Sequence, residues 1–113
     1  MMKGRIIVIP VSKEAEKRLD YDICMDNDLI EYHLKQSEFD ELFNMGFFQE
    51  LNNSLGVMIA DYEWEEILED KLDRLKKFMD IYILKHQDNM VLRSINDFFQ
   101  LAYKKNTGVF FFF

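Results

Sequence analysis

The chain closes on VFFFF, residues 109–113. Few structures can hold such a run. It is far shorter than the ~20 residues a membrane-crossing helix needs, and a solvated tail would leave four phenylalanines in water. The reading that remains is a β-strand covered on both faces. A second short apolar run, GRIIVIPV at residues 4–11, is β-branched and bounded by Gly4 and the polar stretch from Ser12 to Lys17. The two runs are expected side by side in one sheet. Pro10 lacks a ladder donor, so that end of the first run lies at an edge or leaves the sheet.

Between the runs the pattern is mixed. SKEAEKRLD can make a helical turn or two. From Tyr21 to Lys35 apolar and polar residues alternate, as in Tyr21, Ile23 and Met25 and then Ile30, Tyr32 and Leu34. A period of two predicts a hairpin over residues 20–35, turning at Asp26-Asn27-Asp28. Residues 37–55 then carry Phe39, Leu42, Phe43, Phe47, Leu51 and Leu55 on one helical stripe. Ser37 is a fit N-cap, Gly46 marks a kink or break, and Gly56 closes the helix. A helix is predicted over 66–86 from Leu68, Leu72, Leu75, Met79 and Tyr82, with its acids one turn upstream of Lys71, Arg74, Lys76 and Lys77. Another is predicted over 89–105 from Val91, Leu92, Ile95, Phe98, Phe99 and Ala102. Residues 57–65 permit either an extended chain or the opening of a helix. The expectation is a single α+β domain, residues 1–113, with a small sheet and about three helices packed against it.

Charge is unevenly spread. The formal total is −7, but residues 14–41 carry −7, residues 61–73 carry −6, and both ends are basic. A nucleic-acid binder presents a basic face, so a direct nucleic-acid role is not expected. A basic protein partner fits, because opposite potentials steer association. The single cysteine, Cys24, cannot form an internal disulfide, and no apolar stretch reaches transmembrane length. A cytoplasmic protein with no membrane association is therefore expected.

The most acidic stretch is ADYEWEEILEDKLD, residues 60–73. Seven carboxylates and one lysine lie between Asp61 and Asp73, around the only tryptophan, Trp64. Three readings compete: a catalytic or metal-binding cluster, a docking face, and a solvated helix surface. The first lacks partners. The acidic stretches lack the central glycine and terminal bidentate glutamate of a calcium loop. His33 and His86 stand alone, and Cys24 lies among acids that raise its pKa. There is no glycine-rich phosphate loop and no G-x-S-x-G. An enzyme, a metal site and a cofactor are not expected. Two details favour docking over solvated surface: large aromatics interleave with the acids, as at interface hot spots, and clustered like charge is costly unless compensated.

LNNSLGVMIADYEWEEILEDKLDRL and AYKKNTGVFFFF resemble small bacterial immunity proteins, the antidotes of polymorphic toxin and contact-dependent growth inhibition systems. In these a short apolar run leads through an acid–Tyr–Glu segment into a helix, and an aromatic strand ends the chain. The resemblance implies an acidic cytoplasmic protein that binds and neutralises one toxin domain, with basic nucleases prominent among such toxins. It makes Asp61, Tyr62, Glu63, Trp64, Glu65, Glu66, Glu69 and Asp70 the candidate partner-binding residues. The acids from Asp20 to Glu31 form a rival face. The competing expectation is a cytoplasmic interaction or regulatory module with a non-toxin partner.

Overall fold

The computed structural model describes residues 4–113. Its four strands form one antiparallel sheet: β1 (Arg5–Pro10), β2 (Leu29–Leu34), β3 (Trp64–Ile67) and β4 (Val109–Phe112), in the order β2-β1-β4-β3. The two most apolar strands are therefore the central ones. β1 and β4 pair with Ile7 opposite Phe111 and Val8 opposite Phe110, so the first and last strands meet in the middle of the sheet. The central positions give these two strands, apolar apart from Arg5, neighbours on both edges. β1 ends at Pro10, where the missing donor no longer matters.

Five α-helices accompany the sheet: α1 (Lys13–Asp20), α2 (Gln36–Asn44), α3 (Phe47–Leu55), α4 (Leu72–Lys85) and α5 (Met90–Lys105). Ile7, Ile9, Ile67, Val109, Phe111 and Phe113 form one sheet face. They pack with the apolar stripes of α2 to α5 into a core rich in aromatics, such as Phe39, Phe47, Phe48 and Phe99. The opposite face carries Val8, Phe110, Phe112, Trp64 and Glu66. Among the described residues α1 lies over it, through the fully buried Ala15.

Three expectations are corrected. The hairpin over residues 20–35 does not form. Residues 21–28 are two turns joined by an irregular stretch at 23–25, and β2 pairs with β1 instead. The physical cause is Asp28, whose carboxylate accepts from Arg18 Nε and Nη2, both at 2.8 Å, and from the Met25 N–H at 2.7 Å. These bonds fold the segment back on α1, with Asp22 and Asn27 left-handed at φ 57° and 66°.

The helix expected over 37–55 is two helices, with the break at Gly46, the residue that marks a kink or break in the sequence. Gly46 stands between them at φ 87°, a conformation that side chains resist. Ser37 lies inside the first turn of α2 rather than at its cap, and the Glu38 carboxylate accepts from the Lys35 N–H at 2.9 Å. The helix over 66–86 starts six residues late, at Leu72. Ile67 is strand, buried opposite Val109, and a single 3-10 turn at Glu69–Lys71 joins β3 to α4. Pairing with β4 and burial of Ile67 outweigh the helical spacing of the following leucines.

Candidate functional site: an acidic aromatic cleft

Past α3 the chain runs extended. Asn52 clamps it, donating to the Ile59 carbonyl at 3.0 Å and accepting the Ile59 N–H at 2.8 Å. Ile59 is buried while Met58 projects outward. Asp61 then turns inward and takes both Nε and Nη2 of Arg5, at 3.0 and 2.8 Å. Tyr62 follows in the left-handed region at φ 65°, and the turn delivers Trp64 into β3. Residues 57–65 are thus extended and turning rather than helical.

Alternation along β3 sorts its side chains. Glu65 and Ile67 share the parity of Phe111 and Val109. The Glu65 carboxylate accepts the Met58 N–H at 2.7 Å and the Glu66 N–H at 2.8 Å, and the second of these bonds guards the sheet edge. Trp64 and Glu66 stand on the other face, beside Phe112 and Phe110. The Trp64 ring meets Phe112 edge to face, centroids 5.1 Å apart and planes at 85°, yet the residue stays 81% exposed.

A cleft of about 580 Å³ opens there. One wall is the end of α1 and the turn after it, with Leu19, Asp20 and Asp22. The other is Trp64 and Glu66, with Phe110 and Phe112 between them. The sheet face under this cleft is the part α1 is too short to cover. Burial pushes the Glu66 carboxyl above its ordinary pKa, and the charges of Asp20, Glu65 and Glu69 add to the effect. Among the described residues no ion pair or hydrogen bond engages the carboxylates of Asp20, Asp22 or Glu66.

A neighbouring cavity of about 410 Å³ lies along the other side of α1. Here Glu16 Oε1 accepts the Gly108 N–H at 2.6 Å, and Lys13 pairs with Glu69 at 3.1 Å. Burial, followed by the facing Glu69, raises Glu16 to about 7.

The eight candidate residues are dispersed. Trp64 and Glu66 line the cleft, and Glu65 borders it while its carboxylate is bound to the backbone. Asp61 belongs to the Arg5 pair, and Glu69 to the Lys13 and Glu16 cluster. Tyr62 is 80% exposed at the turn, Glu63 is exposed, and Asp70 is exposed on the 3-10 turn. The cleft adds Leu19, Asp20, Asp22, Phe110 and Phe112. Asp20 and Asp22 came from the rival acidic block, so the two blocks meet in one place. The alternation within VFFFF was the available signal for Phe110 and Phe112, since only every second phenylalanine can face the helical core.

Among the described residues no group of three or more His, Cys, Asp or Glu side chains is placed to hold a metal ion. No helix among them is long and apolar enough to cross a membrane. Compared with protein-family models, curated proteins and solved structures, the chain matches none.

Proposed function

We propose that this chain is an immunity-type protein that binds a basic toxin domain, with nucleases the favoured class, through the acidic aromatic cleft. The observation that carries the reading is Trp64. A tryptophan held 81% exposed, where two separate acidic segments converge, fits an anchor awaiting a partner better than a packing residue. The convergence also concentrates negative potential over a concave surface, which favours a cationic partner and steers its approach. A toxin site built to hold phosphates presents that kind of charge. Such a protein would act in the cytoplasm, where its toxin is delivered, and needs no cofactor.

The test is co-expression with a toxin domain encoded beside this chain. Cells should survive with the parent protein and die with Trp64→Ala combined with Glu66→Lys. Cells that die equally fast with the parent protein would refute the immunity reading. Binding to the toxin domain without protection would point to the regulatory alternative.

A further inference from the structure

We infer that the cleft takes an arginine side chain presented by a basic protein segment, its guanidinium lying against Trp64 and Phe112 and answered by Asp20, Asp22 and Glu66. This rests on reading the cleft as a docking site and adds the chemistry of what enters it. Five observations converge. The rings of Trp64 and Phe112 meet at 85° and form a corner with two aromatic walls. A planar cation is attracted to such faces, most strongly to tryptophan. The three carboxylates line the same cleft and have no cation of their own among the described residues. Glu66 lines the cleft, so an apolar occupant would bury its carboxylate unpaired, which is strongly unfavourable. The carboxylates are not grouped as a metal site, which favours an extended organic cation over a bare ion.

The fifth observation is internal. Arg5 lies over the Phe39 ring, 3.9 Å from its centroid, while its fork is held by Asp61 and its Nη1 reaches Gln36 Oε1 at 2.7 Å. Arg18 is gripped in the same bidentate way by Asp28. The chain itself therefore satisfies a guanidinium with a ring face and a carboxylate. The cleft offers both elements with the guanidinium missing. Lysine, a compact and strongly hydrated point charge, makes poorer use of flat walls and spread carboxylates.

Trp64 is the only tryptophan, so its emission reports on this cleft alone. The probes are three glycine-spaced peptides, alike except that they carry arginine, lysine or the uncharged isostere citrulline at three positions. The arginine peptide should shift Trp64 emission saturably. The lysine peptide should bind about fivefold more weakly, the ratio set by ~1 kcal/mol of stacking, and citrulline should give no saturable change. Glu66→Gln and Phe112→Leu should each weaken the arginine peptide about fivefold. Glu66 is exposed, so Glu66→Gln tests the idea even if Phe112→Leu fails to fold. Equal binding of arginine and citrulline, equal binding of arginine and lysine, or no effect of Glu66→Gln would each overturn the inference. Arginine binding without protection from a toxin would refute only the immunity reading. Protection that survives Glu66→Gln together with Phe112→Leu would refute only the arginine site.

Discussion

Replacing Asp61 by asparagine separates the two roles an acid at this position can have. If Asp61 is an interface acid, the substitution weakens partner binding and leaves the fold alone. The geometry assigns it the other role. Arg5 is only 5% exposed and Asp61 32%, and two bonds of 3.0 and 2.8 Å join them. Breaking a fully buried pair of this kind costs about 3–5 kcal/mol, because one charge is left without its counterion. Two features reduce that figure here. Asp61 is partly solvated, and asparagine keeps one oxygen able to accept from the guanidinium. Gln36 and the Phe39 ring also remain in place. A loss of about 2 kcal/mol is expected, a large share of the ~5–15 kcal/mol typical of small domains. In urea unfolding followed by far-ultraviolet circular dichroism, the midpoint should fall by roughly 1 M for a slope of ~1–3 kcal/mol per M. The cycle through Arg5→Met and the double variant should show coupling of about 1 kcal/mol or more. A midpoint within ~0.2 M of the parent, or additive single losses, would refute the reasoning and return Asp61 to the set of interface candidates.

Three further outcomes follow from the same structure. Gly108→Ala would place a Cβ 3.0 Å from the Ile67 carbonyl oxygen and 3.1 Å from Glu16 Oε1, prising β4 from β3; thermal unfolding should show a loss of about 1–3 kcal/mol. Glu16 keeps its proton to about 7 in the folded chain, whereas an unfolded glutamate releases it near 4.5. The stability from this group is therefore fully present below pH 4.5 and is lost as pH rises through 7. Glu16→Gln should flatten that slope in urea titrations across the window, and an unchanged slope would assign it to another group. Tyr103→Phe removes a buried hydroxyl that has no hydrogen-bond partner among the described residues, so its melting temperature should stay level or rise by a few degrees.

Local periodicity made much of the fold legible. The stripe of α5 runs Leu92, Ile95, Phe98, Phe99 and Ala102, all buried, and the predicted range begins one residue before the observed helix. Burial of that face needs only one amphipathic element and a core to meet it. Where a stretch fitted two periods, the outcome lay elsewhere in the chain. Tyr21, Ile23 and Met25 alternate like a strand but are exposed, because Arg18 and Asp28 close the segment into turns. Ile67 and Leu68 carry helical spacing, yet Val109 makes Ile67 a strand residue.

The site divides along the same line. Sequence alone determined that an acidic, aromatic segment surrounds the only tryptophan, that a second acidic block lies upstream, and that the VFFFF run supplies a strand, which spans Val109–Phe112. It did not determine that the two blocks share a cleft, because their meeting depends on a sheet in which β4 lies between β1 and β3 and on an α1 too short to cover the outer face. It also left open which acids are available. Asp61, Glu65 and Glu66 read alike in the chain. Only the tertiary structure spends the first on Arg5 and the second on backbone N–H groups, leaving the third beside Trp64, because which groups approach a carboxylate is a matter of distance in space, not of order in sequence.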